Sequence, residues 1–194
     1  MTSDPWRGDV GLGVDAWTGG LPADEEAVGP DADAESVART ILLDQLAGRA
    51  RSRRELADKL RKRGVPDDLA GRLLDRFEEV GLVDDAAFAQ AWVSGRHEAR
   101  GLAPRAIAQE LRRKGVDDEV AREALDQLDD DQQETTARSM VRKKLRSLDR
   151  FDADTRTRRL VGMLARKGYP PGLAFRVVRE ELGAETDADE SLLD

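Results

Sequence analysis

The chain has 194 residues, of which 37% are charged and 4% aromatic, with a formal net charge of −8 and no cysteine. Such a balance suits small helical bundles with aliphatic seams, and the missing cysteine excludes disulfides and thiolate metal sites and fits a reducing compartment. No apolar run approaches bilayer-spanning length and the acidic, glycine-rich start is no signal peptide, so a soluble cytoplasmic protein without a membrane partner is expected.

The net charge is unevenly spread. Residues 1–36 hold nine acids and one arginine, residues 183–194 hold five acids and no base, and residues 37–182 carry a net charge of +5. A mildly basic body therefore sits between two acidic ends. Residues 1–35, rich in Gly, Asp and Ala, read as a disordered arm. Its Trp6 and Trp17 are either two tryptophans in a floppy segment or a short docking motif.

The body begins near Glu35. Val37, Ile41, Leu42 and Leu46 suit a first helix ending about Gly48. Ser52 and Glu55 form a capping box that starts a second helix with Leu56 and Leu60 inward. Val65-Pro66-Asp67-Asp68 turns and caps a third, with Leu69, Leu73, Leu74 and Phe77 inward, and Gly81 closes this first three-helix repeat, residues 36–81. In residues 82–129, Asp84-Asp85 caps a helix whose Phe88, Ala91, Trp92 and Ala99 share a face. Gly101 to Pro104 breaks it, and Pro104 suits the first turn of a helix carrying Ile107 and Leu111 and stopping at Gly115. A third begins about Asp117 with Val120, Ala124, Leu125 and Leu128. In residues 130–182, Asp129-Asp130-Asp131 caps a helix with Met140, Val141, Leu145 and Leu148. The next runs from about Ala153 through Leu160 and Leu164 to Gly168, and after Tyr169-Pro170-Pro171 the last carries Leu173, Val177, Val178 and Leu182. Residues 183–194 form an acidic tail. Period-two alternation is lacking, so no sheet is expected.

The three segments are one repeat. Lys62-Arg63-Gly64, Arg113-Lys114-Gly115 and Arg166-Lys167-Gly168 lie 51 and 53 residues apart. Leu60, Leu111 and Leu164 stand four residues before the glycine, and Leu56, Ile107 and Leu160 eight before it. Leu69, Val120 and Leu173 follow it by five, and Leu74, Leu125 and Val178 by ten. The fold class expected is therefore all-α: three tandem three-helix repeats forming an elongated, curved solenoid. Each triplet has a small core, so neighbours are expected to share apolar surface.

Little in the chain suits catalysis. His97 is the only histidine and reads as a solvated or packed side chain near a helix end. The acid pairs at 67–68, 84–85 and 117–118 each follow a turn and precede an apolar-periodic run, so capping explains them without a metal. No phosphate-cradling glycine loop and no nucleophile motif is present. The expectation is no catalytic residue, no metal and no cofactor.

The cations say more. On each repeat's second helix the apolar pair sets the inward direction, and two cationic positions lie about 140° from it. They are Arg54 and Lys62, Arg105 and Arg113, and Arg158 and Arg166. A merely solvated face needs no fixed sign, so a stripe facing a polyanion or an acidic surface is the functional alternative.

Finally, GLVDDAAFAQAW, then an arginine and GLAPRAIAQELRRKGV, resembles the central motif of the RecX family, modulators of the RecA recombinase. SRRELADKLRKRGVP and RLLDRFEEVGLVDD resemble the motif before it. The likeness covers about residues 37–182 and loosens from Leu148 to Thr157. It implies a helical, non-enzymatic regulator that binds RecA filaments on single-stranded DNA; a monomer is expected. It also implies inhibition of strand exchange, ATP hydrolysis and coprotease function in DNA repair and the SOS response, with a weak DNA contact compatible. A helical protein acting directly on DNA without RecA is the alternative, since basic helix-turn-helix pairs resemble DNA-reading modules.

Overall fold

The computed structural model describes residues 30–191, with side chains from 33 to 184. Residues 1–29, with Trp6 and Trp17, lie outside the described part. The described residues form helices without a strand: α1 Pro30–Gly48, α2 Arg53–Lys62, α3 Asp67–Glu79, α4 Asp85–Arg100, α5 Pro104–Arg113, α6 Asp118–Leu125, α7 Asp130–Leu145, α8 Ala153–Arg166 and α9 Pro171–Ser191. This is the all-helical, three-triplet order expected. Two ends run further than the sequence suggested. α1 starts at Pro30, five residues before Glu35, and α9 continues past Gly183 to Ser191.

Each triplet has its own core. Ala38, Leu42, Leu56, Leu60, Leu73, Leu74 and Phe77 gather in the first. Phe88, Val93, Ile107, Leu111, Ala121 and Ala124 form the second. Val141, Leu145, Leu160, Leu164, Val177 and Val178 form the third. The aligned pairs Leu56 and Leu60, Ile107 and Leu111, and Leu160 and Leu164 are all 0% exposed, so the middle helix of every repeat is the spine of its core.

Several side chains depart from the sequence-based faces. Val37 is 59% exposed, because α1 meets α2 and α3 along a narrow stripe centred on Ala38 and Leu42. In α4 the buried set is Phe88, Ala89, Val93 and His97, while Ala91 and Ala99 are exposed and Trp92 is half-buried. Alanines carry too little surface to fix a direction, and the larger Val93 and His97 set it instead. In α6 the small Ala121 and Ala124 face inward, leaving Val120 and Leu125 half-buried beside them.

The caps follow the acids except once. Ser52 and Glu55 make both bonds of their box. Asp84 accepts from the Ala87 amide, Asp117 from Glu119, Asp129 from Gln132 and Asp152 from Thr155. α3 instead starts on Pro66 with no side-chain cap. Its Asp67 and Asp68 turn away to Arg61 and Arg72, both in ion pairs.

Neighbouring repeats do not share apolar surface as expected. Helices pack extensively only within their own triplet, and neighbours meet chiefly through helix ends, with the C-terminal end of α4 also set against the middle of α7. The N-terminus of α2 rests on the C-terminus of α5. There the Ser52 hydroxyl accepts from the Glu55 amide at 3.2 Å and donates to the Lys114 carbonyl at 2.6 Å, serving an orphan group of each helix. The N-terminus of α5 rests on the C-terminus of α8, where the Ala103 amide donates to the Lys167 carbonyl at 2.9 Å. Ser52 and Ala103 occupy the same repeat position, as do Lys114 and Lys167. Opposite ends of helix dipoles thus face each other at both junctions. Ala103, which joins the third core, and Met140, which lies against Gly101, are apolar contacts at the second junction.

The junctions explain two of the repeat's glycines. Gly115 has φ +75° and a side chain there would collide with the stem of Arg54. Gly168 has φ +90° and a Cβ there would lie 2.7 Å from the Ala106 amide nitrogen. Both need the left-handed backbone and the empty space that glycine provides.

Candidate partner-binding face

The head-to-tail docking puts the three middle helices in the order α8, α5, α2, the reverse of the chain. The six cations singled out by sequence therefore follow one another as Arg158, Arg166, Arg105, Arg113, Arg54 and Lys62. Each helix contributes two, eight residues apart, which is about 12 Å along its axis. The ends adjoin directly: Arg54 lies over Gly115, two residues past Arg113, and Ala106 beside Arg105 lies over Gly168, two residues past Arg166.

All six are exposed. None makes an ion pair with another described residue; Arg158 has only a 3.3 Å bond to the Thr155 hydroxyl. Their sequence neighbours behave differently. Arg53 pairs with Asp75 at 2.6 Å and Glu78 at 2.5 Å, Arg61 with Asp58 at 2.9 Å, and Arg112 with Asp118 at 3.0 Å. In each case one arginine reaches an acid of its own or the next helix, while the adjacent cation has no ion pair with a described residue.

The second cation of each triplet has a different task, which sequence alone did not reveal. Lys114 donates to Glu55 of the preceding repeat at 2.8 Å and stands 4.1 Å from the centre of the Trp92 ring. Lys167 donates to the Arg100 carbonyl of the preceding repeat. Burial raises the Glu55 carboxyl, but the Lys114 bond and charge outweigh it and hold Glu55 below the ordinary value. Asp85 accepts from the Arg53 amide at 2.8 Å, and burial pushes its carboxyl up. The signal for Lys114 and Lys167 was a lysine at one fixed position in the two repeats that have a predecessor. Arg63, at that position in the first repeat, is exposed.

His97, considered from sequence, and its neighbour Arg96 are both occupied. His97 is 7% exposed, its Nδ1 bonded to the Leu102 carbonyl at 3.0 Å and its Nε2 to the Thr136 hydroxyl at 3.0 Å. It is a packed histidine that ties α4 to α7 across the second junction. Arg96 pairs with Glu110 at 2.7 Å and lies 4.0 Å over Trp92, whose indole N–H also reaches Glu110. Among the described residues no group of His, Asp or Glu is arranged to hold a metal ion, and no helix is long and apolar enough to cross a membrane.

The chain matches three family models in succession: the first three-helix domain of RecX at residues 38–77, the second at 84–125 and the third at 130–178. It is 54% identical over 165 residues to the regulatory protein RecX of Streptomyces lividans, covering 85% of this chain and 88% of that one. It is 53% identical over 148 residues to the regulatory protein RecX of Thermobifida fusca, covering 76% and 80% respectively. The fold is similar to the crystal structure of RecX from Lactobacillus salivarius, with a TM-score of 0.72 at 23% identity over 77% of this chain and 97% of that one. A second crystal structure of regulatory protein RecX gives 0.73 at 23% identity, covering 82% and 80%.

Proposed function

The chain belongs to the RecX family, and from that premise we propose that it regulates the RecA recombinase by binding RecA filaments on single-stranded DNA. Binding limits strand exchange, ATP hydrolysis and coprotease activity during DNA repair and the SOS response. The protein acts as a cytoplasmic monomer, by contact and not by turnover. One observation supports this reading beyond family membership: the row of six unneutralised cations along three docked helices. A filament offers acidic side chains and phosphates in a repeating array, and a row of weak contacts gains affinity when its members engage together.

The test reverses one cation per repeat, using Lys62→Glu, Arg105→Glu and Arg158→Glu. Lys62 replaces Arg54 because the Arg54 stem covers Gly115 and its loss would disturb a junction. Exposed ion pairs contribute about 0.2–1 kcal/mol each, so the triple variant should need roughly threefold to a hundredfold more protein to suppress RecA's DNA-dependent ATPase. Suppression should weaken stepwise with each reversal and with added salt. A folded triple variant that suppresses at the wild-type concentration shows that the row is only a solvated surface.

A further inference from the structure

Cations are plentiful all over this body, but in most places an acid answers them. On the face shared by α7 and α9, Arg138 reaches Glu134, Glu180 and Glu181, and Arg142 reaches Glu181. The groove between the C-terminal end of α7 and α8 is different. Lys144, Arg158, Arg159 and Arg166 line it over a floor of Leu148 and Met163, enclosing about 680 Å³, and no carboxylate is among its walls. None of the four cations has an ion pair with another described residue.

Arg159 is held by a neutral ring. The Arg159 guanidinium lies 3.8 Å from the centre of the Phe151 ring, and Arg150 lies 4.9 Å from it. Arg158 leans on the Thr155 hydroxyl, which itself donates to Asp152 at 2.8 Å, and the Arg158 charge reaches that carboxylate without a direct ion pair. An arginine positioned by a carboxylate has spent its charge and its best donors. One positioned by a ring face keeps both its charge and the planar fork that matches phosphate oxygens. Phe151 and Thr155 fall between Leu148 and Thr157, the stretch where the third repeat leaves the pattern of the other two. The departure contributes Leu148 and Thr155 to the groove and the ring that carries Arg159.

We infer that this groove is a subsite for consecutive phosphates of single-stranded DNA. Arg158 and Arg166 stand two helical turns apart, about 12 Å, so several cations can meet successive phosphates of one strand. A strand presents a negative charge at every nucleotide, whereas acids on a folded surface repel one another and seldom crowd into one groove. The apolar floor of Leu148 and Met163 offers surface to a sugar or an unpaired base, which a flexible single strand can lower into a concave site. The inference deepens the proposed function by assigning the DNA of the filament to the third repeat. It is tested without the recombinase, so the two can fail separately.

The probe is a fluorescently labelled oligothymidylate titrated with the full chain, with anisotropy read at several salt concentrations. The double variant Arg158→Glu/Arg159→Glu should bind at least tenfold more weakly. Its slope of log affinity against log salt should fall by about 1.4, since each phosphate neutralised on a single strand accounts for about 0.7 and two would go unneutralised. Arg158→Gln/Arg159→Gln should move both quantities in the same direction if the reversals disturb folding. Phe151→Leu should weaken binding while leaving the charge unchanged. A folded double variant with wild-type affinity and slope overturns the inference. So does an equal loss from Lys62→Glu/Arg113→Glu in the other repeats, which would mean diffuse attraction, or equal affinity for a duplex of the same length. If the double variant keeps the oligonucleotide but loses RecA suppression, the groove reads protein acids and the inference fails. If it loses the oligonucleotide but still suppresses RecA, the subsite stands and DNA binding is not what regulates.

Discussion

Ser52→Ala tests whether the helix-end junctions couple the repeats. Ser52 is 0% exposed, and its hydroxyl makes two bonds at once, accepting at the start of α2 and donating to the last turn of α5. Loss of the cap alone costs about 1 kcal/mol. Removal of the donor to the Lys114 carbonyl adds about 1–2 kcal/mol, since that acceptor faces a closed junction where water cannot easily replace the hydroxyl. The total is about 2–3 kcal/mol. The proper control is Asp129→Ala, a cap on an exposed side chain that bonds only its own helix and should cost about 1 kcal/mol. Urea denaturation followed by far-ultraviolet circular dichroism measures both, and the difference between them isolates the junction. Because the repeats have separate cores, the Ser52 variant should also broaden the transition as the first triplet melts ahead of the second. An equal cost for the two substitutions, with equally sharp transitions, refutes the claim that Ser52 fastens one repeat to the next.

Three further outcomes follow from the same geometry. Gly168→Ala should cost about 2–5 kcal/mol, combining left-handed strain with overlap on the Ala106 backbone, whereas Gly64→Ala at φ +78° meets nothing and should cost only about 1–2 kcal/mol in the same denaturation assay. Tyr169→Phe should leave the melting temperature unchanged or raise it, because the hydroxyl is buried without a partner and burial pushes that phenol up to about 12. The Arg142 and Arg138 bonds, outweighing burial, hold Glu181 below its ordinary value of 4.5. A carboxyl with a depressed folded pKa stabilises fully above the unfolded value and loses that contribution as pH falls through the folded one. Melting temperatures should therefore decline below about pH 4.5, and Glu181→Gln should flatten that decline while lowering stability at neutral pH.

The repeat was legible because its spine is built from large aliphatic pairs at helical spacing, and no other arrangement buries Leu56 with Leu60 or Leu160 with Leu164. The capping box at Ser52 was also readable, since both its partners are local. The second partner of Ser52 was not, because it lies 62 residues away and no pattern within one helix announces it. The same holds for Lys114, whose adjacent Arg113 in the triplet looks equally suited to solvent. The face of α4 was misread because Ala91 and Ala99 suggest a direction without enough surface to impose one. The cationic positions were correctly placed in solvent, but their order along the molecule was hidden. Chain order runs from the first repeat to the third, while the docked helices run from the third to the first.

That reversal bears on how such a row can be used. At one end stands the C-terminus of α2, with Lys62 and the exposed Arg63, which grips no earlier repeat among the described residues. At the other stands the beginning of α8, capped by Asp152 and bordered by the groove of Lys144, Arg158 and Arg159. The three helix dipoles point the same way along the row, so its ends differ in the sign of partial charge as well as in side chains. A row with unlike ends can engage a directional partner favourably in one orientation, whereas a row of identical cations could bind it either way round. The cations supply attraction of the same sign in every repeat. The divergence of the third repeat between Leu148 and Thr157 adds a groove at one end only, so on the proposed function it contributes to the orientation in which a partner is engaged.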